Sequence, residues 1–302
     1  MKKSFAYQRW LPALAFLLLF ISCEDVVQVE LSEENIDLIT VEAYLTTRSR
    51  DNVYVKLQKS LPVDEDDSNP PVNNAVVELF DTDSLAHSVT LKEFNNSGVY
   101  QLPGDKTFKA QTGRSYSLKI TTEDGIEITS SDYLQKVEPL DTVKVHLSAR
   151  GDYEYLAIFI SSQETPGLGN YYKWDIYINK KMLYTSGNLA FASDELVDGN
   201  YILNYEVFTD YYDDDDDRVL FMGDTIYVEQ MSISEAVYDF YSGMIEQAYT
   251  GSPFSVPPAS IPGNLSSSDG KRVLGLFSAR DISSGNQVII NDKNFTPLSS
   301  GN

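Results

Sequence analysis

The sequence predicts a mainly β protein, with an N-terminal immunoglobulin-like antiparallel sandwich followed by a second β-rich domain that carries one amphipathic helix. Three observations support this prediction. Short segments alternate apolar and polar residues with period two, clusters of Asn, Asp, Gly and Pro separate them, and one later stretch changes to helical periodicity. The composition agrees, because the 20 Tyr and 14 Phe favour strands over helices.

Residues 1–22 predict a lipoprotein signal peptide, with Cys23 as the acylated first residue of the mature chain. Three basic residues before position 10 form a positive start, and an apolar stretch over 11–21 follows that is too short for a membrane-spanning helix. Ser22, a small residue just before the cysteine, fits lipoprotein processing. Cys23 is the single cysteine of the chain, which excludes an internal disulfide, and acylation accounts for the thiol.

Residues 23–35 are expected to tether the lipid to the first folded element. Glu24 and Asp25 follow the cysteine directly. Acidic residues at this place resemble the signal with which Bacteroidota export lipoproteins to the cell surface, and a solvated tether explains them equally well. The sequence thus predicts attachment to a lipid bilayer through acylated Cys23 and leaves open which side of the membrane the protein faces.

The chain is strongly acidic. It carries 23 basic and 45 acidic residues, a formal charge of −22, and the signal peptide holds three of the basic residues and none of the acidic ones. Such a surface repels the phosphates of nucleic acids and anionic lipids, so we expect no nucleic-acid partner. Cations or a basic partner remain compatible with it.

Residues 36–135 predict the immunoglobulin-like sandwich. Short alternating segments bounded by turn residues predict strands at 39–45, 53–58, 75–79, 88–91, 116–121 and 126–130. The stretch from Gly113 to Leu118 resembles the turn and tyrosine that begin a late strand in such sandwiches.

Residues 136–302 predict the second β-rich domain. Its predicted strands are 155–160, 171–178, 182–184, 201–208, 219–222 and 225–231, with closing strands at 273–279 and 287–290.

Helical spacing interrupts the strands of the second domain once. Apolar residues from Ile233 to Ala248 fall on one face and predict an amphipathic helix over 232–250, begun by a capping box of Ser232 and Glu235. We expect its apolar face to dock on the second sheet, and a groove of a partner protein is the alternative.

A Pro-rich segment over 252–263 follows the helix. Its four prolines predict an extended path rather than a helix or a central strand. Phe254, Pro257 and Pro258 in this segment are candidate contacts for a partner, with simple packing across the second domain as the alternative.

The sequence contains no recognisable catalytic motif. His87 and His146 have no companions at metal-ligand spacing, and the Gly-x-Ser-x-Gly elbow, the His-Glu-x-x-His helix and the phosphate-cradling loop are missing. We therefore expect neither an enzyme nor a bound organic cofactor.

An unbroken acidic run forms the most conspicuous polar feature: Asp213, Asp214, Asp215, Asp216 and Asp217. Adjacent carboxylates repel one another, so the run is either a solvated loop or a cation site. Ca²⁺ is the cation that accepts many oxygens from such loops, but calcium loops space their carboxylates at alternate residues around a Gly. The solvated loop is the preferred interpretation.

Several features of the chain, taken in order, match a known group of proteins. They are the Ser22-Cys23-Glu24 anchor, the Pro-Val-Asn-Asn-Ala-Val-Val-Glu-Leu stretch over 71–79, the Gly113–Leu118 segment, the amphipathic helix and the closing stretch over 252–279. In these the chain resembles the Bacteroidota outer-membrane lipoproteins of domain-of-unknown-function family 4249. The resemblance implies an outer-membrane location and a TonB-dependent transporter as partner, and it supplies no catalytic residues.

These features and the resemblance favour the hypothesis of a non-enzymatic outer-membrane lipoprotein that assists a TonB-dependent transporter in nutrient binding or uptake. The alternative is a structural or adhesive cell-surface lipoprotein, whose sandwiches display loops and bind no nutrient.

Overall fold

A computed structural model of the chain describes residues 38–61, 68–150, 153–183, 188–210, 218–249 and 261–295. These residues all lie within one compact unit, Ile36–Asn302. Among them, no helix has both the length and the apolar character that crossing a membrane requires.

The described residues form strands, one α-helix and a short 3-10 helix. The first strands are β1 (Ile39–Thr46), β2 (Val53–Lys59), β3 (Val76–Asp81), β4 (Ser84–Thr90), β5 (Lys92–Phe94), β6 (Val99–Gln101), β7 (Arg114–Thr121), β8 (Glu127–Leu134), β9 (Leu140–Arg150) and β10 (Tyr153–Gln163). The later ones are β11 (Tyr171–Ile178), β12 (Lys181–Met182), β13 (Ala190–Ser193), β14 (Tyr201–Thr209), β15 (Thr225–Ile233), β16 (Leu265–Ser267), β17 (Leu274–Arg280), β18 (Ile282–Ser284) and β19 (Val288–Ile289). The helix α1 covers Glu235–Tyr249, and the 3-10 helix covers Asp292–Phe295.

Two five-stranded sheets form the first sandwich. Sheet A has the strand order β17-β1-β2-β6-β5, and sheet B has the order β16-β8-β7-β3-β4. Alternate residues of both sheets meet in one core, in which Val41 and Leu57 of sheet A and Leu118 and Ile128 of sheet B are buried. The hydrophobic face of each sheet is thereby covered by the other.

Two further sheets form a second sandwich. Sheet C has the order β14-β10-β9, and sheet D has the order β12-β11-β15-β18, with β13 also beside β11 and β19 also beside β15. Val145 and Ile158 of sheet C pack with Trp174 and Val228 of sheet D in a separate core. The predicted mainly β fold with antiparallel sheets and one amphipathic helix is therefore confirmed.

The tyrosine predicted to begin a late strand of the first sandwich is present in β7. Tyr116 is fully buried, and its hydroxyl accepts a hydrogen bond from the Gln111 amide (2.7 Å) and donates one to the Gln111 carbonyl (3.3 Å). The side chain thus ties the preceding loop to the core, as a tyrosine corner does in immunoglobulin-like sandwiches.

The end of the chain departs from the predicted domain boundary between 135 and 136. The stretch 273–279 was expected to close the second domain, but β17 pairs in parallel with β1, from Thr40 opposite Leu274 to Thr46 opposite Arg280. The strand β16 likewise pairs with β8. An alternating pattern identifies a strand without identifying its neighbour, so the sequence alone did not reveal this return to the first sandwich.

The predicted strand at 219–222 is wrong. The carboxylate of Asp210 accepts hydrogen bonds from the backbone amides of Val219 (2.9 Å) and Leu220 (2.8 Å). A side chain therefore satisfies the backbone groups that a neighbouring strand would otherwise have paired.

The predicted capping box of α1 is also wrong. Ser232 lies in β15, where its hydroxyl donates to the Gln135 carbonyl (2.5 Å) and accepts from the Asp281 amide (3.1 Å). The helix begins later, with the Tyr238 amide bonded to the Ser234 carbonyl (2.9 Å). Its bounds, Glu235–Tyr249, lie within the predicted 232–250.

Glycine at position 275 allows β17 to lie against β1. Gly275 has a φ of +97°, and a Cβ atom there would lie 1.9 Å from the Val41 carbonyl oxygen. A left-handed conformation and a backbone contact of this kind both require a residue without a side chain. The closing stretch over 252–279, which carries part of the family resemblance, therefore has a physical role, which is to let β17 join sheet A.

Two side chains satisfy the other edge of β17. Asn264 donates to the Phe277 carbonyl (2.7 Å) and accepts from the Phe277 amide (2.9 Å), and Asp132 accepts from the Ala279 amide (2.7 Å). Asp132 is buried, and burial raises the pKa of its carboxyl to about 6. The edge is thus closed to pairing with another chain.

We expect Gly275→Ala to lower the free energy of unfolding by about 3–5 kcal/mol, because strain and a backbone clash act together. Gly270→Ala is the matched control: Gly270 also has a positive φ (+73°), but a Cβ atom there meets no atom within 4 Å. The control should lose only about 1 kcal/mol. Chemical denaturation measures both values, and equal losses would contradict the assigned role of Gly275.

We expect Asp132→Asn to change the pH dependence of stability. The folded state holds the Asp132 proton more tightly than the unfolded chain does. The contribution of this proton to the free energy of unfolding is therefore complete below pH 3.8 and is lost as the pH rises toward 6. The variant should gain roughly 2 kcal/mol relative to the wild type between pH 4.5 and 7.5. Thermal unfolding at both pH values measures this, with the exposed Asp124→Asn as control; a pH-independent difference would refute it.

Candidate binding cleft at the junction of the sandwiches

A network of hydrogen bonds around Asp281, which lies between β17 and β18, joins the two sandwiches. Its carboxylate accepts from the Thr47 hydroxyl of the β1–β2 loop (2.7 Å) and from the Val137 amide of the β8–β9 segment (3.0 Å). Its carbonyl accepts from the Ser232 amide of β15 (3.1 Å). One residue therefore connects a loop of the first sandwich, the linking segment and a strand of the second.

A buried guanidinium lies beside this hydrogen-bond network. Arg280 donates to the Tyr241 hydroxyl of α1 (3.1 Å) and to Ser278 Oγ (2.9 Å), and it lies 5.8 Å from the centroid of the Tyr44 ring. Burial lowers the pKa of Arg280, but Tyr241 and Asp175 outweigh it and raise the pKa above its ordinary value. The charged group thus links sheet A, α1 and, through the field of Asp175, sheet D.

A cleft of about 540 Å³ opens next to the junction, between the β1–β2 loop and the outer face of sheet D. The eight residues that line it are Arg48, Tyr177, Lys180, Thr225, Tyr227, Glu229, Gly285 and Gln287. Its volume lies within the range of about 300–1,000 Å³ typical of small-molecule sites. Successive side chains of β11 and β15 point to opposite faces of sheet D. The side chains that alternate with the buried core residues face outward, and they form walls of the cleft.

Glu229 organises the inner wall of the cleft. Its buried carboxylate accepts hydrogen bonds from the Arg48 guanidinium and from the Tyr177 hydroxyl (3.1 Å). Burial, with the charge of Glu229, raises the pKa of Tyr177 to about 12, so this hydroxyl stays a donor at neutral pH. For Arg48, the hydrogen bond to Tyr177 and the charge of Glu229 overcome the effect of burial and raise its pKa.

A second groove, of about 440 Å³, lies at the other end of the first sandwich. Leu38, Ile39 and Val72 contribute apolar surface to it. Its charged side chains are of both signs: Lys59, Lys271, Arg272, Glu123, Asp124 and Asp269. This balance gives the groove no defined preference for one class of ligand.

Three carboxylates converge in the loops that precede β11 and β14. One oxygen from each of Glu164, Asp194 and Asp198 lies within 4.8 Å of the others, a spacing that would suit a cation. Backbone amides already hold these groups: Asp194 accepts from Gly169 (3.2 Å) and Asn170 (3.0 Å). Such donors account for the convergence, so we assign the cluster a role in fixing the loops.

Most of the residues singled out from the sequence lie outside the described part of the chain. This is true of Cys23, of the acidic run Asp213–Asp217 and of Phe254, Pro257 and Pro258, so lipidation, calcium binding and partner contact there stay predictions. The described end of the Pro-rich segment packs on α1, where Ile261 lies against Gly243.

The two histidines do not come together in the fold. His87 stacks on Phe108, with ring centroids 4.3 Å apart, and lies 3.7 Å from the buried Asp81. His146 lies in β9 of the other sandwich, opposite Ala157. The cleft residues were missed because they come from four distant segments of the chain, and no local sequence pattern connects these segments.

The fold and the cleft define a class: a β protein of two joined sandwiches with a polar, tyrosine-lined cleft at the junction. The model of the family described as a domain of unknown function, DUF4249, matches residues 24–285, and the chain belongs to this family. No curated protein matches the sequence. A similar solved structure is that of murine CEACAM1b, with 11% identity over 84% of this chain and 98% of that chain, but its TM-score of 0.19 is too low to support any argument.

We expect Arg48→Met to lower the free energy of unfolding by about 1–3 kcal/mol, because it leaves the buried Glu229 carboxylate without its cation. Adding Glu229→Gln to this variant should restore much of the loss. Denaturation of the wild type, both single variants and the double variant gives the coupling energy. Additive losses would show that the pair does not stabilise the cleft wall.

Proposed function

We propose that this chain is a non-enzymatic outer-membrane lipoprotein that assists a TonB-dependent transporter in nutrient binding or uptake. The observation that carries the proposal is a cleft of small-molecule size in the folded part, taken together with the signal peptide predicted over residues 1–22 and the acylation predicted at Cys23. An anchored protein with a binding cleft can capture a nutrient at the membrane and present it to a transporter. Among the described residues that line the cleft, none forms a nucleophile–base pair, which favours binding over catalysis.

The hydrogen-bond network around Asp281 supports this role. Capture at a junction between two domains requires that the two walls keep their spacing, and Asp281 fixes the loop that carries one wall against the strand that carries the other. A protein that only displayed loops would have no need of such a connection.

An exposed apolar row supplies a surface for the transporter. Tyr201, Leu203 and Tyr205 are 49%, 63% and 41% exposed along β14, the edge strand of sheet C. Exposed apolar side chains on an edge strand are typical of protein contact surfaces. This row is separate from the cleft, because the core of the second sandwich lies between sheet C and the outer face of sheet D.

The test is co-purification from outer membranes of a tagged copy expressed at its native level. We expect a β-barrel transporter in stoichiometric amount. Recovery of the lipoprotein alone under gentle detergent would contradict the proposal and favour the structural or adhesive alternative.

A charged variant of the contact row sharpens this experiment. Leu203→Asp should reduce recovery of the transporter about tenfold or more without unfolding the protein, since a charge in an apolar contact is left desolvated. Phe94→Asp is the control, because Phe94 is 57% exposed but lies in β5 of the first sandwich. Equal losses in the two variants would remove β14 as the contact surface.

A further inference from the structure

The junction cleft has an unusual wall chemistry that narrows the class of its ligand. None of its eight lining residues is an aliphatic residue, and two of them, Tyr177 and Tyr227, bring aromatic rings to its surface. A lipid or another aliphatic ligand would find little matching surface here. The ligand must therefore be a molecule that packs one face on aromatic rings and exposes polar groups at its rim.

The two rings form a fixed platform. Tyr177 and Tyr227 are opposite one another in the β11–β15 register, with centroids 5.7 Å apart and planes inclined by 57°. Each hydroxyl is tied by a hydrogen bond, Tyr177 to Glu229 (3.1 Å) and Tyr227 to Ser284 (2.5 Å). Both side chains are half-buried, so their rings are held in place while part of each ring stays accessible.

The polar groups around the platform provide both donors and acceptors. Arg48 and Glu229 neutralise each other, whereas Lys180 makes no ion pair with any described residue. Lys180 and Asn179 both have positive φ (68° and 52°) and form the two-residue turn between β11 and β12, which places this ammonium at the rim. Gln287 and Thr225 add neutral groups that donate and accept.

A peptide cannot bind in this cleft by strand addition. That mode needs a free sheet edge, but β11 and β15 pair with each other and have further strands, β12, β13, β18 and β19, on their outer sides. Nucleic acid is disfavoured by the charge of −22.

We propose that the junction cleft is a saccharide-binding site. The C–H face of a sugar ring packs on Tyr177 and Tyr227, its hydroxyls exchange hydrogen bonds with Arg48, Glu229 and Gln287, and Lys180 pairs with a sugar carboxylate where one is present. This deepens the proposed function by naming the nutrient class, and it rests on that function only for its biological setting.

The test uses the full-length protein in a zwitterionic detergent without a sugar head group, so that detergent does not compete. An array of neutral and uronic-acid oligosaccharides identifies a binder, which calorimetric titration then quantifies. We expect Tyr227→Ala to weaken binding about tenfold or more. Tyr133→Ala is the control, because Tyr133 is a strand tyrosine of the first sandwich that is 51% exposed and does not line the cleft, and it should leave binding unchanged.

Two further variants keep the test decisive. Gln287 lies in an exposed loop, so Gln287→Ala should weaken binding without affecting the fold. This variant keeps the test valid if Tyr227→Ala unfolds the protein. Lys180→Ala should weaken binding of uronic-acid oligosaccharides about tenfold and leave neutral ones unchanged.

Absence of any array signal, or binding that is indifferent to both Tyr227→Ala and Gln287→Ala, would overturn the proposal. So would binding to a peptide library that these variants abolish. The transporter proposal is tested separately: Tyr227→Ala should still co-purify with the β-barrel, so failure of one experiment does not imply failure of the other.

Discussion

The strand β17 needs hydrogen-bond partners along both edges and packing partners on both faces, and most of the architecture follows from the residues that supply them. One edge pairs with β1, and the other is closed by Asn264 and Asp132. One face adds Phe277 and Ala279 to the core of the first sandwich, while the other places Leu276 against α1 and Arg280 beneath it. A strand that is buried from Leu276 to Arg280 cannot be removed without exposing both sandwiches, which is why the C-terminal part of the chain and the first sandwich form one structure.

The cleft is a consequence of the same arrangement. Because Arg280 is the last residue of β17 and pairs with Thr46, the loop after β1 is brought to the position where Asp281 can hold Thr47. Arg48, the next residue, then extends over sheet D and meets Glu229. The wall of the cleft is therefore built from the first sandwich by a continuous series of neighbours that starts at β17.

The sequence predicted local structure well and long-range pairing poorly, for a physical reason. Period-two alternation and the helical stripe depend on neighbouring residues, so β1, β2, β11, β15 and α1 were all predicted near their observed bounds. The partners of a strand depend on residues far away in the chain. Three outcomes depend on such contacts. The strand β17 pairs with β1, Asp210 binds the backbone of residues 219–222, and Ser232 bonds to Asp281 at the junction instead of capping the helix. The cleft is missed for the same reason, since Arg48 and Glu229 are 181 positions apart.

The overall charge of the protein and the local charge of the cleft have different ranges of action. With a formal charge of −22, the surface repels large polyanions at a distance. At physiological ionic strength, however, exposed charges are screened beyond about 8 Å, so a small ligand inside the cleft responds mainly to the groups that line it. There Arg48 is balanced by Glu229 and Lys180 remains, which leaves the cleft locally positive within an acidic protein. The proposed acidic sugar would meet mainly this local charge, whereas an extended nucleic acid would also lie along the repulsive surface outside the cleft.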